Sequence, residues 1–393
     1  MKELQMKPEN KSYNLLNVTR AKAKMFEYHV PESDHIKIPE DPAKLLTISI
    51  GLLGDFAAAI NRGESGGEQL SELKKNLLFS AHFFDFYLQS NLAMNLDSYL
   101  MLLGAVSYYL CDLQGSASVL IKGINRESLD LNGEGLETLL FCLLRSEYDY
   151  YDYKDKNIFS DLNDNIIKNI HLFYKKGSNE HELLNLVDKL RSEIYKNGTP
   201  RQLLLGDLIT AVVKKKLENS VWKNLPLYSG VSKEKWQLIL QKDSFIKEFW
   251  PSQHLLGKAD VLKGKSAVIQ MPTSAGKTKS TELIIRSAFL SGRANLAVVI
   301  APFRALCHEI KNTLVDAFYN ESIEIDELSD ALQIDFEFSN LLEHQQILVL
   351  TPEKLFYILK HSSDLASHIG LLILDEGHQF DNGSRGITYE LLL

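Results

Sequence analysis

Gly276-Lys277-Thr278 opens an amphipathic run, and Asp375-Glu376-Gly377-His378 closes an apolar one about a hundred residues later. These are residue types that phosphoryl transfer requires. A lysine ammonium suits the terminal phosphates of a nucleotide, and a helix N-terminus adds its free N–H groups. The Thr278 hydroxyl and the Asp375 carboxylate are hard oxygen donors of the kind that hold Mg²⁺, the carboxylate usually through water. Glu376 is placed to polarise or deprotonate an attacking water. Asp-Glu after an apolar run is common by itself. Joined to Lys277, it supplies an anion site, a metal and an oriented water.

The stretch before Lys277 fits this chemistry. Ala267 to Met271 is an apolar run expected as a buried strand, and Pro272 ends it. Thr273, Ser274, Ala275 and Gly276 are small, so their backbone N–H groups can close around phosphate. Leu283, Ile284, Ile285, Ala288 and Phe289 give the following helix a buried side. Met271 stands where the usual loop has its first glycine, and a glycine-rich turn ahead of a helix accounts for the same residues taken alone. Upstream, the Gln253 amide can donate to and accept from an adenine at once. Phe249 or Trp250 can pack on the base; a surface glutamine is the plainer alternative. Arg304, in Ala301–Leu306, and Thr351-Pro352, in Thr351–Leu355, stand at strand-to-helix turns. Backbone N–H groups at such turns bind nucleic-acid phosphates. Thr351 with Pro352 is equally a good helix start.

The elements that would position these groups follow from the hydrophobic pattern. From Ser266 onward, strands are expected at Leu296–Ala301, Ser322–Ile325, Ile347–Thr351 and Gly370–Asp375, with helices at Phe303–Phe318 and from Pro352. That alternation implies a parallel sheet covered by helices on both faces, with ligands at the strands' C-terminal ends. Residues 1–220 instead read as all-helical. Asp41-Pro42 starts a helix and Gly63 follows its end. Further segments centre on Leu77–Leu88, Tyr99–Leu110, Leu136–Leu144, Ile166–Phe173, Leu183–Ile194 and Leu203–Val213. Leu103–Leu120 resembles one hairpin of a tetratricopeptide-type repeat with no second copy, and Gly104, Ala105 and Ala117 would let its helices approach closely. Glu147–Lys156, acidic and rich in tyrosine, is either a partner patch or a solvated helix end. Lys214-Lys215-Lys216 is either a nucleic-acid contact or the complement of a helix C-terminal dipole. Pro226 and Ser229-Gly230 mark a boundary, so residues 221–248 are expected as a linker and lead-in helix.

Bulk properties narrow the classes. The 393 residues, 45% hydrophobic and 24% charged, suit two or three globular domains. A net charge of −8 leaves no global basic field, so any nucleic-acid contact is a local groove. Cys111, Cys142 and Cys307 are far apart, which speaks against a zinc site or disulfide framework and suits a reducing cytosol. No secretory signal follows Met1–Lys7, and the uncharged stretch Ser98–Cys111 is too short to span a bilayer. A cytoplasmic location is expected.

The ordered set Gln253, Pro272–Thr278, Ala301–Leu306, Thr351–Leu355 and Asp375–His378 resembles the Q-motif and motifs I, Ia, Ib and II of a superfamily 2 DExH-box helicase. The resemblance covers residues 245–393, the first RecA-like lobe. Asp381, Arg385-Gly386 and Glu390 resemble the Ski-like branch. It implies an α/β fold: a helical N-terminal domain, residues 1–220, followed by a RecA-like P-loop domain with a parallel sheet, residues 249–393. It implies ATP and Mg²⁺ as cofactors. Thr273, Ser274, Ala275, Gly276, Lys277 and Thr278 would bind phosphate, with Ser274 where many members have glycine. Thr278 and Asp375 would hold Mg²⁺, Glu376 would orient water, and His378 would relay nucleotide state. Arg304, Thr351 and Pro352 would contact a nucleic-acid backbone, DNA more readily than RNA. A second RecA-like lobe, bearing the arginine finger, is expected in cis or in trans. Because the sequence ends at Leu393, just after motif II, weak nucleotide binding and little hydrolysis are expected of this polypeptide by itself. A helicase behind such a helical domain resembles bacterial anti-phage defence helicases, in which that domain would dock an effector nuclease. DNA repair is the other role expected of the branch. The alternatives are a regulatory, partner-docking nucleotide module without motor activity and a double-stranded DNA translocase.

Overall fold

The computed structural model describes residues 7–64, 67–90, 97–129, 134–146, 158–272, 276–327, 344–361, 364–381 and 383–392. The chain divides into two compact units, Met1–Ser220 and Val221–Leu393.

In the described residues, the first unit is helical throughout. Its helices are α1 (Asn10–Glu27), α2 (Lys44–Asn61), α3 (Glu68–Gln89), α4 (Asp97–Leu110), α5 (Gln114–Gly123), α6 (Leu136–Arg145), α7 (Ser160–Lys176), α8 (Glu180–Asn197) and α9 (Pro200–Asn219). The Asp41 carboxylate accepts from the Ala43 N–H at 2.9 Å ahead of α2. Gly63 takes φ +79° just past its end, where the chain needs a left-handed residue. α2 is long and apolar enough by composition to cross a membrane. Here its Leu52, Leu53, Phe56 and Ala57 are buried in the helical core, where each large side chain contributes roughly 1.5–3 kcal/mol. Gly104 on α4 brings helices together as the sequence predicts: a Cβ there would meet Phe84 Cβ at 3.0 Å and Leu120 Cδ1 at 3.1 Å.

The three consecutive lysines approach the end of α9, with Lys216 in its last turn. Lys214 Nζ donates to the Asn61 carbonyl at 3.0 Å, so it complements the C-terminus of α2. Lys215 pairs with Asp112 at 2.9 Å, and buried Lys216 donates to Ser146 Oγ at 3.0 Å. All three are engaged within the helical unit. The run Glu147–Lys156 lies outside the described residues.

The second unit begins with α10 (Val221–Ser229), α11 (Lys233–Leu240) and α12 (Pro251–Lys258). Trp222, Trp236, Phe245 and Phe249 from this stretch form one core with Leu283. Residues 221–248 thus pack as part of the second unit. There follow α13 (Lys277–Leu290), β1 (Leu296–Ile300), α14 (Arg304–Ala317), β2 (Ile323–Glu327), β3 (Gln345–Leu350), α15 (Pro352–His361), α16 (Asp364–His368), β4 (Ile369–Leu374) and α17 (Gly383–Glu390). The described strands form one parallel sheet in the order β2-β3-β1-β4.

Period-two alternation along β1 separates the two layers. Ala297 and Val299 join Ile285, Phe289, Cys307 and Leu314 of α13 and α14. Leu296, Val298 and Ile300 join Leu355, Leu365 and Tyr389 of α15, α16 and α17. Strands buried on both faces read as continuous apolar runs, which is why these were visible in the sequence.

Ala267–Met271 departs from its expected strand. Residues 265–272 carry no regular structure, and Val268 is 102% exposed. An apolar run becomes a strand only where a neighbour supplies ladder hydrogen bonds, and no described strand pairs with it.

α13 is anchored by a buried charged cluster. The Arg286 side chain is 1% exposed. Its Nε donates to Glu282 Oε1 at 2.9 Å, its Nη1 to both Glu321 oxygens at 2.8 and 2.6 Å, and its Nη2 to the Ala317 carbonyl at 2.7 Å. The guanidinium lies over the Phe318 ring at 4.1 Å.

Candidate functional site

The C-terminal ends of three parallel strands converge on one edge of the sheet. There the Ala301 N–H donates to the Leu350 carbonyl at 3.0 Å, and the Asp375 N–H donates to the Ile300 carbonyl at 2.8 Å. Arg304 starts α14 after β1, Pro352 starts α15 after β3, and Asp375-Glu376 follows β4. Arg304 is exposed, Thr351 half-buried and Pro352 buried. The Thr351 carbonyl accepts from the Lys354 and Leu355 N–H groups at 3.1 Å each, as a helix start requires.

Lys277 joins the helix-opening Gly-Lys-Thr to the Asp-Glu pair that follows β4. Its ammonium pairs with the Asp375 carboxylate and donates to Glu376 Oε1 at 2.9 Å. The other Glu376 oxygen lies 3.2 Å from His378 Nδ1. Partial burial pulls the Lys277 ammonium down, but hydrogen bonds to Asp375 and Glu376 outweigh it and hold its pKa above the usual lysine range. The hydrogen bond from Lys277 holds the Glu376 carboxyl below its usual range, against a smaller burial effect. Glu376 takes φ +56°, a left-handed conformation unusual outside glycine, so the backbone is strained at the residue expected to orient water.

Lys277 is the first residue of α13, with Gly276 as its N-cap at φ +86°. The first-turn N–H groups of such a helix have no intrahelical acceptor and favour an anion. Thr278 lies in that turn and is exposed. Thr273, Ser274 and Ala275 lie outside the described residues.

Gln253 is brought to this loop. It is buried, and a Cβ on Gly276 would meet its Nε2 at 2.6 Å. Its Oε1 accepts from the Trp250 N–H at 2.8 Å, capping α12. That bond takes one of the two lone pairs of Oε1, so the amide keeps an acceptor site for an adenine. Phe249 is fully buried, stacked on Tyr228 at 5.9 Å, which leaves half-buried Trp250 as the aromatic able to reach a base.

The donor set fits Mg²⁺ in company with phosphate. Asp375 and Thr278 offer hard oxygens, and among the described residues no group of three or more His, Cys, Asp or Glu side chains could hold a metal. Mg²⁺ is commonly held that way, by one or two carboxylates with substrate phosphates and waters completing its shell. The cysteines offer no nucleophile: all three are buried, and burial pushes the Cys111 thiol up to about 12 and the Cys307 thiol up to about 11.

The residues that sequence reading missed are those that hold α13. Glu282 and Arg286, four apart on one face of α13, are the available signal, because a charged i,i+4 pair amid apolar neighbours marks a buried ion pair.

A parallel sheet with helices on both faces, a lysine at a helix N-terminus and an Asp-Glu pair at the adjoining strand end define a RecA-like P-loop domain. Residues 255–393 match the DEAD/DEAH box helicase family. Among its relatives, the chain is 30% identical over 246 residues to Hachiman protein HamB of Bacillus cereus, covering 61% of this chain and 22% of that protein. It is 31% identical over 156 residues to ATP-dependent DNA helicase Hel308 of Thermococcus kodakarensis, covering 39% and 13%. It is 32% identical over 146 residues to mouse DNA polymerase theta, covering 37% and 6%. The matched segments thus span at most about a fifth of these relatives' own lengths. The HamB match is longer than the whole second unit, so it extends into the helical one.

Proposed function

We propose that the chain is the ATP-binding portion of a nucleic-acid helicase or translocase of the DExH-box class, acting in the cytoplasm in bacterial anti-phage defence. The observation that carries this reading is the Lys277 ammonium held between Asp375 and Glu376 at the C-terminal edge of a parallel sheet. The defence role is supported by the HamB match, whose extension into the helical unit a helicase core alone does not account for. DNA as the strand is supported by the similarity to the ATP-dependent DNA helicases Hel308. A cytoplasmic site suits the free cysteines.

In this reading Lys277 leaves the carboxylates for the terminal phosphates of ATP, and the first-turn N–H groups of α13 take the others. Thr278 and Asp375 would hold Mg²⁺, which supplies charge neutralisation on the phosphates when bound. Glu376, freed from Lys277, orients water and accepts its proton. His378, on the far oxygen of Glu376, senses that exchange. Arg304 and the α14 and α15 N-termini hold strand phosphates without reading sequence. The helical unit docks a protein partner, an effector nuclease in the defence reading, and a second RecA-like lobe closes on the nucleotide.

The test is ATP binding and single-stranded-DNA-stimulated hydrolysis, with the second lobe supplied, for the wild type and Lys277→Ala. The substitution removes a charge-assisted contact, so ATP affinity should fall by about tenfold or more, and turnover should vanish. DNA-dependent turnover surviving in Lys277→Ala would sink the assignment. Removing residues 1–220 should leave that turnover intact, whereas a pure docking module would lose its function.

A further inference from the structure

We propose that Arg286 is a positioning residue for the phosphate-binding end of α13, acting through Lys277 at the opposite end of the same helix. This rests on the nucleotide-binding reading.

Five side chains of alternating charge run from the first turn of α13 to the stretch between α11 and α12. Lys279, two residues after Lys277, donates to Glu282 Oε2 at 3.0 Å. Glu282 accepts from Arg286 through its other oxygen. Arg286 grips Glu321 with two hydrogen bonds, and Glu321 Oε1 also accepts from Lys242 Nζ at 2.6 Å. Lys242 reaches the Tyr319 carbonyl at 3.0 Å as well. Burial alone would raise the Glu321 carboxyl, and the hydrogen bonds from Arg286 and Lys242 outweigh it.

Such an arrangement is a poor means of gaining stability. Desolvating charges offsets much of their attraction, and an apolar cluster would hold the helix as well. What an ion network supplies is geometry. The planar guanidinium satisfies Glu282, Glu321 and the Ala317 carbonyl together at only one rotation of α13 about its axis. Apolar contacts such as Ile285 and Phe289 would tolerate small rotations; the fork does not. That rotation decides where Lys277 points, because a helix transmits it rigidly from residue 286 to residue 277. The network borders a cavity of about 180 Å³ lined by Lys242, Phe245, Lys279, Glu282, Arg286 and Asp316 among others.

The experiment is R286K in the full chain, which keeps the charge and loses the fork. Binding of ATP with Mg²⁺ is measured well below the unfolding temperature, alone and in a Lys277→Ala background. We expect R286K to weaken ATP binding by about fivefold where Lys277 is present and to have no effect where it is absent. If R286K does not fold, E321Q, which leaves Arg286 its Glu282 and Ala317 partners, is read in the same way. An unchanged ATP affinity in a folded variant overturns the proposal, as does an equal loss in both backgrounds. A wild type that binds no ATP fails the nucleotide reading instead.

Discussion

Glu376→Gln tests the ion contacts directly. In the structure Lys277 is shared between two carboxylates, so an incoming phosphate must displace both. The substitution removes one competitor and leaves Asp375. Lys277 is 50% exposed and Glu376 37%, so solvent screens their attraction, and the contact contributes about 0.5–1 kcal/mol. Removing it from the free state should tighten metal-free nucleotide binding by roughly twofold to fivefold. Titration calorimetry with ATP in EDTA at low ionic strength reads this directly, and the gain should shrink in salt. Loss of a negative charge also attracts phosphate without any release of Lys277. The comparison with Lys277→Met separates the two. If the gain comes from release, it disappears in the Lys277→Met background; a gain that persists there would falsify the reasoning. With Mg²⁺ present, Glu376→Gln should bind ATP and fail to turn it over.

Other expectations follow from the same geometry. Glu376 is held below its usual range, so its contribution to stability is complete above the unfolded carboxyl value and fades as pH falls through the folded one. The melting temperatures of wild type and Glu376→Gln should therefore differ near neutrality by an amount equivalent to at most about 1 kcal/mol and converge below about pH 4. Gly276→Ala forces a left-handed alanine and sets its Cβ 2.6 Å from Gln253 Nε2, so ATP binding should fall sharply. A Gly276→Ala variant that binds ATP as the wild type does would show that the loop accommodates the methyl group. Gly104→Ala drives a methyl to 3.0 Å from Phe84 Cβ, a contact set by the backbone of α3. Urea unfolding should show destabilisation of about 1–3 kcal/mol, and a neutral result would mean that α4 is free to shift.

The parts of the fold legible in the sequence are those decided by local pattern. Leu296–Ile300, Gln345–Leu350 and Ile369–Leu374 announce themselves as apolar runs, and α13 by its apolar face. Ala267–Met271 has the same composition yet lies exposed, because strand formation depends on a neighbour that a window of sequence does not contain. Lys277 and the Asp-Glu pair were legible as chemistry, and the sheet then brings them into contact. Phe249 looked like a base-stacking aromatic and is instead a core residue, since Tyr228 covers it from over twenty positions away. The Arg286 network is illegible beyond Glu282, its other carboxylate being 35 residues off.

The two borders of the sheet are unlike each other. β2, at one border, carries Glu324, Asp326 and Glu327, charges that discourage another strand from joining. β4, at the other, reads Ile-Gly-Leu-Leu-Ile-Leu and has one hydrogen-bonded neighbour among the described strands. Among the described residues, strand addition is therefore one-sided. Two copies meeting through β4 would be related by a two-fold axis and would use up the open border of each. Concentrated solutions should accordingly stop at pairs; light scattering that climbs steadily past the dimer would show that the acidic border does not protect.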